Sequence, residues 1–247
     1  MIKENKAEDA VFELHDEMHP KFWSAEGVLQ DGLREKLLNI AKSYIQFLKV
    51  PPTIKFRDII FTGSLAGFNY TDFSDVDIHI ILDYGQLSDD KDFIMSYFMA
   101  LKNLWAEKHE VSVFGFPVEL FAQDVDQFES SPGAQYSLVR EKWVKKPERT
   151  PNSLDKKAIV RKAKEIKEQI TSLAHEEPSE ELMEQIDVLK TKIRNMRQSG
   201  LNKKGEFSIE NLVFKVLRNT GSLQKLTDLN KKAEQALLSV NEAAQAI

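Results

Sequence analysis

The chain has 247 residues, 42% hydrophobic and 30% charged, with a formal net charge of −5. That length supports one or two domains with self-sufficient cores, and the composition is ordinary for a globular protein. The absence of cysteine excludes disulfides, thiolate metal sites, iron–sulfur clusters and a cysteine nucleophile, and with no reason to invoke an oxidising compartment a cytoplasmic location is expected.

The start, Met1 to Lys6, has no apolar core or small-residue cleavage site and does not read as a signal peptide. No later apolar run approaches the length of a membrane span, so no membrane partner is expected. Residues 1–30 are polar and mixed, with Phe12, Leu14, Phe22 and Trp23 as anchors expected to pack onto the domain that follows. From Asp31 the apolar residues Leu33, Leu37, Leu38, Ala41, Tyr44, Ile45 and Leu48 recur at helical spacing, and Pro51-Pro52 ends the run. Asp58 to Thr62 reads as a buried strand entering a turn at Gly63-Ser64, and Asp75 to Asp83 as a second strand. Residues 89–107 have helical periodicity through Phe93, Ile94, Tyr97, Phe98, Leu101 and Leu104. Val111 to Phe114, a turn at Gly115 and Pro117 to Ala122 read as a hairpin, with Tyr136–Val139 and Trp143-Val144 as further strands. Residues 1–150 thus read as a mixed α/β domain.

Pro147, Pro151 and Asn152 mark a boundary, and residues 151–247 read as an all-α domain, making the chain α+β. This tail holds 17 Lys+Arg against 14 Asp+Glu, leaving 17 against 25 in residues 1–150. The front is acidic and the tail mildly basic, which argues against a wholly basic nucleic-acid binder. Residues 155–175 and 179–198 read as a helical hairpin with a coiled-coil-like seam at Leu182, Ile186, Leu189 and Ile193. Ser208 to Asn219 and Ser222 to Val240 read as two more helices, and four such apolar stripes can close one small bundle without a partner chain, so a monomer is expected.

One constellation carries chemistry: Phe61-Thr62-Gly63-Ser64, a gap of ten residues, then Asp75-Val76-Asp77-Ile78. Glycine after a strand lets backbone approach a ligand, and the following amides with the Ser64 hydroxyl can hold a phosphate. Asp75 and Asp77, two apart on a strand, share a face, while Val76 and Ile78 point into the core. Two neighbouring carboxylates repel unless a cation sits between them, and hard oxygen ligands suit magnesium or manganese.

These residues resemble the signature of the nucleotidyltransferase superfamily typified by DNA polymerase beta. Thr62 departs from it slightly, standing where the pattern prefers an aliphatic residue. The resemblance covers roughly residues 31–125. It implies a mixed-sheet catalytic domain and transfer of a nucleoside monophosphate from a nucleoside triphosphate to an acceptor hydroxyl, with release of pyrophosphate. It implies Asp75 and Asp77 as ligands of Mg2+ or Mn2+, and a third carboxylate on a neighbouring strand, for which Glu119 in Pro117-Val-Glu-Leu-Phe is the candidate and Asp124 and Asp126 the rivals. Gly63 and Ser64 would seat the phosphates, Ser74 would cap the turn or touch phosphate, and the helical tail would wall the cleft. The acceptor, whether RNA, protein or small molecule, stays open. Phe22-Trp23, Tyr70 to Asp75 and Gly133 to Leu138 with Trp143 are similar to small uncharacterised nucleotidyltransferases of tailed bacteriophages, which implies no substrate. An RNA-tailing or tRNA-modifying enzyme, and a nucleotide-binding or partner-binding regulatory module without catalysis, are the alternatives.

Overall fold

The computed structural model describes residues 2–13, 15–131, 133–148 and 154–239, so Leu14, Pro151, Asn152 and Val240 lie outside the described residues. The strands are β1 (Phe56–Thr62), β2 (Val76–Leu82), β3 (Ser112–Val113), β4 (Phe116–Asp124), β5 (Gln135–Ser137) and β6 (Lys142–Lys145). The helices are α1 (Ile2–Asp9), α2 (Leu33–Leu48), α3 (Lys91–Lys108), α4 (Val125–Ser130), α5 (Lys156–Leu173), α6 (Glu180–Lys204), α7 (Ile209–Asn219) and α8 (Ser222–Leu238). They fall into two compact units, one of Glu13–Pro151 and one of Met1–Phe12 with Asn152–Ile247.

The Glu13–Pro151 unit is built on a mixed six-stranded sheet in the order β3-β4-β2-β1-β5-β6. β1 and β2 are antiparallel, whereas β2 and β4 are parallel. A parallel partner requires a crossover, and α3 supplies it. Alternation along β2 sends Val76, Ile78 and Ile80 into the core, all wholly buried, and turns Asp77 and His79 to the other face. The core side is covered by α2, through Leu33, Leu37, Ala41, Tyr44 and Leu48, and by α3, through Ile94, Phe98 and Trp105. α2 ends at Lys49, whose left-handed backbone (φ 50°) breaks the helix before Pro51-Pro52. α3 starts at Asp90, whose side chain accepts the Phe93 N–H at 2.9 Å. Phe22 and Trp23 anchor this unit as expected, with the Trp23 ring stacked on Phe61 at 5.4 Å.

The first twelve residues belong with the helices, not with the front domain as the sequence boundaries have them. Val11 packs into the core formed by Ile159, Ile186, Val213 and Val216, and Phe12 lies against that core. Lys156 holds Asp9 at 2.8 Å and sits 4.7 Å over the Phe12 ring, and Lys167 holds Glu8 at 3.2 Å. α1 has almost no apolar stripe of its own, which is why its partner was not legible.

The four long tail segments are helical, but α5 and α6 do not form the expected tight hairpin seam. Each packs chiefly on α7 and only slightly on the other. The reason is the apolar density of α7: Leu212, Val213, Val216 and Leu217 are all buried within eleven residues. Seating α7 between α5 and α6 buries more apolar surface than closing the pair alone. Gly200 marks the close approach of α6 to the start of α7: a Cβ there would stand 2.5 Å from Glu210 Cβ and 2.7 Å from Ser208 Oγ. Among the described residues no helix is long and apolar enough to cross a membrane.

Candidate active site

β1 runs into Gly63, which has φ 78° and ψ −168°, a region essentially closed to residues with a side chain. A single 3-10 turn, Ser64–Ala66, follows. Register places Thr62 opposite Asp77 on β2, and this pairing brings the Asp77 carboxylate onto Gly63. A Cβ at Gly63 would come 1.8 Å from Asp77 Oδ2 and 2.7 Å from Cγ. Glycine is therefore required twice, by backbone angle and by the carboxylate resting on its Cα.

Asp75 immediately precedes β2, and its alternation with buried Val76 turns it, like Asp77, away from the core. Ser64 and Ser74 are joined directly, Oγ to Oγ at 2.8 Å, and Ser74 Oγ accepts the Thr71 N–H at 2.9 Å. Ser74 is 2% exposed. It acts as an interior brace tying the Gly63–Ser64 turn to the loop that delivers Asp75, and it is not presented to a ligand. The Trp23 indole N–H fixes the same turn from the core side, donating to Leu65 O at 2.7 Å.

Glu119 stands beside Asp77 in the parallel β2–β4 register. β3 is only two residues long and pairs with Phe116 and Pro117, so Glu119 lies at the open edge, where Lys102 of α3 holds it at 2.7 Å. The lysine also lies 5.9 Å over Phe121. Both partners are partly exposed, so the pair is worth at most about 1 kcal/mol and separates readily. The rivals are elsewhere. Asp124 alternates with Leu120 and Ala122 on the core face, is buried, and accepts the Tyr84 N–H at 2.9 Å and Lys91 at 3.0 Å. Asp126 is exposed and takes the same lysine at 2.7 Å. The Asp126 and Asp124 carboxylates hold the Lys91 ammonium well above the usual lysine range.

His79, two residues past Asp77 on its face, is held by Gln123, with Nδ1 2.8 Å from Oε1. Burial pushes its pKa below the usual histidine value, against the smaller opposing effect of that hydrogen bond, so the ring is neutral at pH 7.

Arg140, between β5 and β6, is committed to Asp58. That aspartate is 3% exposed and receives Arg140 Nε at 3.0 Å and Ser137 Oγ at 2.7 Å. Neither residue type announces such a pairing, because they are 82 positions apart. Arg140→Ala is expected to lower stability by about 2 kcal/mol, since it leaves a buried carboxylate with only a serine hydroxyl and a neighbouring amide. Urea titration followed by circular dichroism checks this, and an unchanged midpoint would mean that solvent reaches Asp58.

Hard-oxygen chemistry at Asp75 and Asp77 fits a magnesium or manganese ion, which is commonly held by one or two carboxylates and completed by substrate phosphate and water. A three-residue cage is not assembled: among the described residues no group of three or more His, Cys, Asp or Glu is arranged to hold a metal ion. Glu119 is ion-paired with Lys102. No family model, curated protein or solved structure matches this chain.

Proposed function

We propose that the Glu13–Pro151 unit is a metal-dependent nucleotidyltransferase that moves a nucleoside monophosphate from a nucleoside triphosphate to an acceptor hydroxyl and releases pyrophosphate. The observation that carries the reading is the Asp77 carboxylate seated on Gly63 at the strand-to-turn junction. Asp75 two residues away and Glu119 in register beside Asp77 add to it. Bulk at Gly63 would displace the carboxylate, so the strand end, the turn and the acid form one unit.

The roles follow from position. Asp75 and Asp77 would hold the divalent ion, which when bound neutralises triphosphate charge. Gly63 lets backbone approach the phosphates, and Ser64, braced by Ser74, fixes the turn against them. Glu119 can take the acceptor's proton only after parting from Lys102, and a freed Lys102 ammonium faces incoming phosphate charge. The chain supplies positioning and charge complementarity, which phosphoryl transfer chiefly needs.

Triphosphate affinity is expected to rise at least ~10-fold with magnesium and to lose that dependence in Asp77→Asn. Calorimetry with and without the metal reads both. Transfer itself is tested by offering the four labelled triphosphates with magnesium to the protein alone, to RNA and to small hydroxyl compounds. Metal-independent binding together with no labelled product would defeat the reading. Metal-dependent binding without product would instead favour a nucleotide-binding module, for which the Lys102–Glu119 pair already speaks.

A further inference from the structure

The helical unit carries a groove on its own surface that the proposed chemistry does not use. Because α5 and α6 both lean on α7, their outer faces part and leave a trough of about 860 Å³. Two stripes wall it, one on α5 from Glu165 to Leu173 with Glu176 just beyond the helix end, the other on α6 from Glu181 to Lys192. The α6 stripe covers twelve residues, about 16 Å at 1.5 Å per residue, or three helical turns.

The floor is apolar. Leu173 and Leu189 show only their edges, while Val188 is 63% exposed. The rims are acidic: Glu165, Glu168 and Glu176 on one side, Glu181 and Glu184 on the other. The lone lining cation, Lys192, is 3.5 Å from Gln169. Lys164 approaches Glu168 only to 3.8 Å, and Glu165, Glu181 and Glu184 have no ion pair among the described residues.

We propose that this groove binds a basic amphipathic helix of a partner protein. An apolar floor selects an apolar stripe on the ligand, and two acidic rims select Lys or Arg on both of its flanks. A nucleic acid or an anionic membrane brings phosphate to five carboxylates and is repelled. A small polyamine meets the rims but leaves the valine and leucine floor in water. Three turns of helix match the length of the trough, and leucines at i, i+4 and i+7 form one apolar stripe along such a helix.

The probe is a fluorescein-labelled 14-residue helical peptide of leucine and lysine with a single leucine stripe. Two controls accompany it: a scrambled peptide of the same composition without the stripe, and a leucine–glutamate peptide with the stripe. Fluorescence anisotropy with the full chain should show saturable binding of the striped lysine peptide, and at least ~10-fold weaker binding of both controls. Raising salt from 50 to 300 mM should weaken it. Val188→Asp and the double variant Glu181→Lys/Glu184→Lys should each cost at least ~10-fold, with far-UV circular dichroism and melting unchanged because these positions are exposed. Equal affinity for the scrambled peptide reduces the effect to charge alone and overturns the proposal, as does indifference to both variants. Concentration-dependent self-association abolished by the same variants would also overturn it, assigning the groove to a second copy of this chain.

Discussion

Gly63→Ala is expected to lower the stability of the Glu13–Pro151 unit by about 3 kcal/mol or more and to reduce transfer at least ~10²-fold. Two costs add. The backbone at φ 78° and ψ −168° is strained for any residue with a Cβ. The new methyl would also stand 1.8 Å from Asp77 Oδ2, so either the carboxylate leaves or β1 and β2 shift. A double-mutant cycle separates the terms. Asp77→Ala removes the contacts at 1.8 and 2.7 Å but keeps its own Cβ at 3.1 Å, so Gly63→Ala/Asp77→Ala should regain part of the lost stability, with the backbone strain remaining. Metal-dependent triphosphate binding should not return, because the acid is gone. Chemical denaturation and calorimetry on the four proteins read this. If Gly63→Ala alone keeps both its melting temperature and magnesium-dependent binding, the Asp77 carboxylate does not rest on Gly63 in solution.

Much of this unit was legible because burial imposes a period. β2 alternates through Val76, Ile78 and Ile80, and α2 repeats through Leu33, Leu37, Ala41, Tyr44 and Leu48; both signals are local. The Gly63, Ser64, Asp75 and Asp77 spacing was legible for the same reason, since strand, turn and strand are near in sequence. What stayed hidden depends on distant partners. Nothing near Glu119 says that Lys102, seventeen positions earlier, will reach it around the sheet edge. Nothing near Ser74 says that its hydroxyl turns inward to Ser64. The periodicity of α3 also misleads by one flank: Ile94, Phe98 and Trp105 are buried, while Phe93, Tyr97 and Leu104 are exposed, because an apolar stripe wider than the contact leaves its margin in solvent. The stripes of α5 and α6 told that each helix buries a face but not against which neighbour.

That last ambiguity gives the test with the largest effect in the other unit. Val216 is wholly buried on α7, the helix on which both α5 and α6 rest. Val216→Asp puts a carboxylate where no cation can reach it and removes apolar contact with two helices at once. The cost is about 4–5 kcal/mol, a large share of the roughly 5–15 kcal/mol that a domain usually has. Far-UV circular dichroism should therefore lose the helical signal of α5 to α8, and the first twelve residues should become protease-sensitive, because Val11 shares that core. Triphosphate and metal binding should survive, since Gly63, Asp75 and Asp77 belong to the other unit with a core of its own. Ile186→Asp on α6 should act in the same direction, as that side chain is also wholly buried in the same cluster. If α7 were peripheral and α5–α6 a self-sufficient hairpin, Val216→Asp would cost little while Ile186→Asp would cost much, and that asymmetry would sink the arrangement around α7. If both variants instead abolish triphosphate binding along with the helical signal, the two cores do not stand independently.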